Sequence, residues 1–294
     1  MSQTARLIWL LAALGGGAIA AHAGDLDAPT SESAALPPVD AVPAQDALPE
    51  GAALSGRDIY ERVIRNRSRI AFQSQRLLSS DPGGDEQQTD LKLHWKDFTD
   101  ESGQPTEDVR WKALVKYTSP ESMRGAGYLF INREDSPSDQ FVYHPSRRKT
   151  RRVNVSDAIM GTDFNLEDII PRRLDGSDYT RQPDDQIDGV PCYVVEIVPR
   201  PDSASRYGKL RVWIEKQSHV TVRTRYWDPS GVEIKEYTAS PLEIREISGV
   251  FIPHEATMTN LLERTSTRMI IDEVDENPDL RDSVFSMRQL QRRR

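Results

Sequence analysis

Arg147, Arg148, Arg151 and Arg152 stand close together in "RRKTRR", and three carboxylates follow at Asp163, Glu167 and Asp168. Two chemistries use such a set. A dense run of guanidiniums grips phosphate, on nucleic acid or on a lipid head group. Alternatively, guanidiniums pair bidentately with nearby carboxylates and hold two chain segments together. Composition argues against nucleic acid. The 294-residue chain carries a formal charge of −8, whereas a dedicated nucleic-acid binder is usually net basic.

Other reactive side chains form no catalytic constellation. The five histidines, His22, His94, His144, His219 and His254, are scattered, with no i,i+4 pair and no HExxH. No zinc or other metal site is therefore expected. There is no GxSxG elbow and no P-loop or dinucleotide fingerprint. The single cysteine, Cys192, lies in the apolar run "PCYVVEIV" and reads as a small buried hydrophobe. No catalytic residue, no enzyme activity and no cofactor are expected.

The N-terminus points to a compartment. "MSQTAR" is followed by the apolar run "LIWLLAALGGGAIAA" and by "AHA" at Ala21–Ala23. This reads as a secretory signal peptide over residues 1–23, cleaved before Gly24. No later apolar stretch approaches spanning length, and no lipobox cysteine follows, so a soluble periplasmic protein is expected. There, nucleic acid is no sensible partner.

These side chains must be positioned by the elements around them. Residues 24–52 are rich in Ala, Pro and Asp without periodicity and read as a disordered tether. A single domain over 53–294 follows. "SGRDIYERVIRNRSR" has Ile59, Val63 and Ile64 at helical spacing, with Ser55 as the cap. From Ile70 the period becomes two. Leu91, Leu93 and Trp95 oppose Lys92, His94 and Lys96; Val109, Trp111, Ala113 and Val115 oppose Arg110, Lys112 and Lys116. Further strands are expected at "GYLFIN", "DQFVYH", "PCYVVEIV", "KLRVWIEK", "VTVRTRYW", "VEIKEYT", "FIPHEATMTNLL" and "STRMIIDEV". In one hairpin, pairing Ile214 with Val220 keeps both apolar sets on one face and implies a loop at Lys216–Ser218. That register gathers Arg211, Trp213, Arg223, Arg225 and Trp227 on the other face, either as cation–π pairs or under an apolar cover. Short helices are expected near "GTDFNLEDII" and "DSVFSMRQL". The class is α+β: a strongly curved antiparallel sheet with helices on its concave side.

"YLFINREDSPSDQFVYHPSRRKTRRVNVSDAIMGTDFNLEDI" resembles a block of the bacterial outer-membrane lipoprotein-sorting-like family, related to the LolA and LolB carriers. The matching residues are Phe141, Tyr143, Pro145, Arg147–Arg148, Arg151–Arg152, Met160–Phe164 and Glu167–Asp168, preceded by "YTSPESMRG" at Tyr117–Gly125. The resemblance implies a LolA-like half-barrel holding lipid or lipoprotein acyl chains between sheet and helices. It also implies an association with an RND-type exporter in the inner membrane. Candidate cavity residues are Trp95, Trp111, Phe130, Phe141, Met160 and Phe164, each with ordinary core packing as the alternative. A different reading is an envelope adaptor or stress-sensor domain that carries no lipid and uses the Arg147–Arg152 face on a partner. For that face, an internal latch to Asp163, Glu167 or Asp168 and direct contact with a ligand both stand open.

Overall fold

The computed structural model describes residues 54–292, apart from 101–103, 106–107, 135–137, 155, 171, 204 and 276–277. The expected signal peptide and tether lie outside the described residues.

Helix α1 (Gly56–Arg65) begins where expected. Ser55 Oγ accepts from the Asp58 amide, and the Asp58 carboxylate accepts from the Ser55 amide, closing a capping box. Ile59 and Val63 turn inward. The strands follow as β1 (Ile70–Ser80), β2 (Glu86–Asp97), β3 (Val109–Ser119), β4 (Gly127–Arg133), β5 (Asp139–His144) and β6 (Lys149–Arg152). A long connection holds the short helix α2 (Leu166–Ile169). Then come β7 (Ser177–Ile187), β8 (Val190–Pro199), β9 (Lys209–Glu215), β10 (Thr221–Trp227) and β11 (Glu233–Thr238). The chain ends with β12 (Ile244–Ile247), β13 (Val250–Pro253), β14 (Glu255–Asn260), β15 (Thr265–Asp275) and α3 (Met287–Gln291).

Among the described residues, thirteen strands form one curved antiparallel sheet in the order β6-β5-β4-β3-β2-β1-β15-β14-β11-β10-β9-β8-β7. The class is α+β, as expected. Alternation places Leu91, Leu93 and Trp95 of β2 beside Trp111, Ala113 and Val115 of β3 on one buried face. That face continues across the sheet in a row of direct partners: Tyr179, Ile197, Leu210, Tyr226, Lys235, Asn260 and Thr265. We call it the inner face. Helix α1 packs on β7 and β8, and Tyr60 stacks on Tyr179 there with ring centroids 5.1 Å apart.

Three details differ from the expectation. The β9–β10 pairing sets Val212 opposite Thr224 and Leu210 opposite Tyr226, two residues from the expected register, with a bulge after Thr221. The faces are unchanged, because a two-residue shift preserves the pleat. The connection is longer than Lys216–Ser218 because the Glu215 carboxylate accepts from the amides of Gln217 (2.9 Å) and Ser218 (2.6 Å). "FIPHEATMTNLL" is two strands: β13 pairs with β12 in a separate ribbon, and β14 joins the main sheet. Helix α3 covers the outer face, where Phe285 and Leu290 pack on Leu114, Leu129 and Tyr143. Lys116 Nζ donates to the Leu290 carbonyl there (2.6 Å), and burial brings this lysine down to about 8. Of the outer-face tryptophans, Trp213 lies beneath Arg223 and Arg225, and Lys209 sits 4.6 Å from the Trp227 ring. Cation–π packing is thus the arrangement found.

Cys192 is buried, and burial pushes its thiol up to about 11, the behaviour of an inert core residue. Close packing also explains Gly127: a Cβ there would lie 2.1 Å from the Val115 carbonyl oxygen. Gly127→Ala is expected to destabilise the fold by about 1–3 kcal/mol, read as a lowered urea midpoint.

Candidate functional site

The inner face of β1–β4 and β15 is mostly apolar, and residues 156–170 lie across it as a cover. Between them is a cavity of about 20 Å³. The sheet contributes Leu77, Leu91, Val115, Tyr117, Tyr128 and Phe130, with Met269 at the side. The cover contributes Ile159, Thr162, Phe164 and Ile169.

Polar contacts hold the cover around this apolar centre. Ser79 Oγ donates to the Gly161 carbonyl (2.7 Å), and the Met160 amide donates to the Tyr128 hydroxyl (3.1 Å). The Asp163 carboxylate accepts from Thr265 Oγ1 and from Thr267 Oγ1, the latter at 2.7 Å. Lys235 Nζ rises from β11 and donates to the Asp163 carbonyl (2.5 Å) and to Asp168 Oδ2 (3.2 Å). The Lys235 and Asp168 side chains are 6% and 1% exposed, so this ion pair is out of water. The Tyr207 hydroxyl completes it, donating to Asp168 Oδ1 at 2.5 Å. Burial, reinforced by the Asp168 charge, holds the Tyr207 phenol well above its ordinary value, so it stays a donor. Glu167 accepts from Arg172 (2.9 Å), from the Ser205 hydroxyl and from the Arg206 amide (3.0 Å).

The expected arginine latch is therefore corrected. Asp163, Glu167 and Asp168 do pin the cover, but their partners are Thr265, Thr267, Arg172, Tyr207 and Lys235. Strand β6 is at the sheet edge and its arginines are exposed, and their ion pairs among the described residues go to Asp157 and Asp139 instead. Arg151 pairs with Asp157 (3.2 Å), a surface link to the cover. Arg152 pairs with Asp139 and lies 5.3 Å over the Phe141 ring. Arg147 and Arg148 are exposed on the β5–β6 turn, where Arg148 has φ 49°.

The candidate cavity residues divide. Phe130 and Phe164 line the cavity from opposite sides. Trp95 and Trp111 share the inner face but pack on each other, 4.8 Å between centroids, outside the cavity lining. Met160 is half-buried in the cover and holds it through its amide. Phe141 is a correction: it pairs with Leu129 and packs on the outer face beneath α3. Pleat parity decides this, since Phe130 and Leu129 point to opposite faces.

Lys235 was not among the expected site residues. Its signal was present: it alternates with the inward Tyr237 in "VEIKEYT". Among the described residues no group of three or more His, Cys, Asp or Glu could hold a metal ion.

A family model described as "Uncharacterized protein" matches residues 110–292. No curated protein matches the sequence. Among solved structures, a domain from Vibrio parahaemolyticus, described as an outer membrane lipoprotein-sorting protein, is 20% identical with a TM-score of 0.71. The match covers 81% of this chain and 98% of that one. A DUF1329 family protein from Desulfovibrio piger is 21% identical with a TM-score of 0.72, covering 80% and 97% of the two chains. A LolA superfamily protein from Nitrosomonas europaea is 18% identical with a TM-score of 0.63, covering 81% and 100%.

Removing one partner of a buried pair strands the other charge, whereas exposed pairs contribute little. Lys235→Met is expected to lower stability by about 3–5 kcal/mol. Arg151→Ala with Arg152→Ala together should change it by no more than about 1 kcal/mol. Urea titrations of both variants measure the contrast.

Proposed function

Because the chain belongs to the family whose model matches residues 110–292, and has the fold of LolA-like lipoprotein-sorting proteins, we propose that it is a periplasmic, non-enzymatic carrier of lipid or lipoprotein acyl chains. The observation that carries this reading is the apolar inner face closed by a cover whose polar anchors surround the cavity. Exposing one long acyl chain to water costs on the order of 10 kcal/mol, at roughly 0.8 kcal/mol per methylene. A carrier between membranes must offer an equally apolar surface instead. No covalent step is needed, so the role requires no catalytic residues and no cofactor.

The present cavity, about 20 Å³, is far below the roughly 300–1,000 Å³ of small-molecule sites. On this reading the arrangement with residues 156–170 laid on the sheet is the closed form of the carrier. Loading requires residues 156–170 to lift, so that an acyl chain replaces Ile159, Phe164 and Ile169 against Val115, Tyr128 and Phe130. One apolar surface replaces another, and the exchange is close to balanced. The exposed Arg147 and Arg148 supply a basic turn for anionic head groups or the carboxylates of a membrane partner, an RND-type exporter included.

The second reading, an adaptor or stress-sensor domain that carries no lipid, uses that same basic turn but leaves the covered apolar face without a role. A tagged long-chain acyl ester discriminates between them. Delipidated protein is expected to bind the probe, with fluorescence saturating near one probe per chain. Ser79→Ala removes one anchor of the cover and should raise the uptake rate about five-fold, the equivalent of about 1 kcal/mol. Absence of probe binding, together with absence of lipid in the purified protein by mass spectrometry, would reject the carrier.

A further inference from the structure

Three polar side chains of the inner face take no part in holding the cover. Gln73 and Gln75 of β1 and Tyr117 of β3 are 0%, 1% and 1% exposed. Tyr117 pairs with Leu91, and Leu91 pairs with Gln75, so the three form one cross-strand row. Tyr117 and Leu91 both line the cavity, and Gln73 is the next inward position along β1. Gln75 Nε2 donates to Gln73 Oε1 at 2.7 Å. Gln75 Oε1, Gln73 Nε2 and the Tyr117 hydroxyl have no hydrogen-bond partner among the described residues.

This remainder does not depend on which way the amides are turned. Two primary amides joined by a single hydrogen bond always leave one carbonyl and one amino group in reserve. Buried groups of this kind weaken a fold unless something satisfies them. Leucine would fit the pattern of Ala71 and Leu77 on the same face, yet two glutamines stand there.

We propose that Gln73, Gln75 and Tyr117 are the polar anchor of the lipid site and select a lipid bearing an uncharged hydroxyl group. The inference rests on the carrier reading. A hydroxyl donates to one amide carbonyl and accepts from the other amide's amino group, using both reserved functions at once. Plain hydrocarbon leaves them unpaired. A phosphate or carboxylate would bring a negative charge into a cavity that no cationic side chain lines. Lys235 is already engaged by Asp168 and the Asp163 carbonyl.

The test uses delipidated protein loaded with the neutral fluorescent probe N-phenyl-1-naphthylamine, displaced by 1-tetradecanol, tetradecane or tetradecyl phosphate. The alcohol is expected to displace the probe at about ten-fold lower concentration than the other two. Gln73→Leu with Gln75→Leu should abolish that preference while leaving the unfolding midpoint unchanged or raised. Tyr117→Phe, which keeps the ring, should reduce the preference and decides the matter if the double variant does not fold. Equal displacement by all three compounds in the wild type, or a preference that survives in the variants, overturns the inference while leaving the carrier intact. If the probe does not bind at all, the carrier reading itself fails.

Discussion

The ion pair between Lys235 and Asp168 is the interaction on which this arrangement depends. Both charges are out of water, where desolvation penalises each of them heavily. They persist because every neighbour contributes: Tyr207 donates to the carboxylate, and the Asp163 carbonyl accepts from the same ammonium. One lysine on β11 thus holds two points of the connection between β6 and β7. Without it, the carboxylate of α2 would face the sheet uncompensated, and residues 156–170 would have little reason to lie across an apolar surface.

That surface supplies the other half of the balance. Hydrophobic burial is non-directional, so Ile159, Phe164 and Ile169 can be replaced by any apolar group of similar bulk. Hydrogen bonds are directional, and those at Ser79, Tyr128, Thr265 and Thr267 fix where the cover lies. A closed state held by polar anchors around a replaceable apolar centre is what a reversible container requires. On the outer face, Phe285 and Leu290 pack on Leu114, Leu129 and Tyr143, and Lys116 and Lys96 tie that segment down through the Leu290 carbonyl and Asp282.

Much of the sheet was legible in the sequence because alternation is a local signal. Leu91, Leu93 and Trp95 announce a half-buried strand without reference to anything distant. Strand β7 was missed because an edge strand with mostly exposed residues, "SDYTRQPDDQI", carries almost no apolar alternation. The site was harder to read. Asp163, Glu167 and Asp168 were recognised as pinning groups, but nearness in sequence suggested Arg151 and Arg152 as their partners. Apart from Arg172, the partners come from β11, β15 and the segment before β9, about forty to a hundred residues further along the chain. Phe141 was taken for a cavity residue. Its face is set by pairing with Leu129, which composition does not reveal. Gln73 and Gln75 alternate with Ala71 and Leu77, so their inward position was readable, but only the folded neighbourhood exposes their unpaired atoms.

The central claim is that residues 156–170 are a cover that yields to lipid. Hydrogen–deuterium exchange of the whole protein, with and without a long-chain monoacylglycerol, tests it most directly. The account predicts that lipid raises exchange in residues 156–170, leaves β2–β4 protected, and does not alter α3 on the opposite face. Unchanged exchange in residues 156–170 at a lipid concentration that saturates the protein would contradict it.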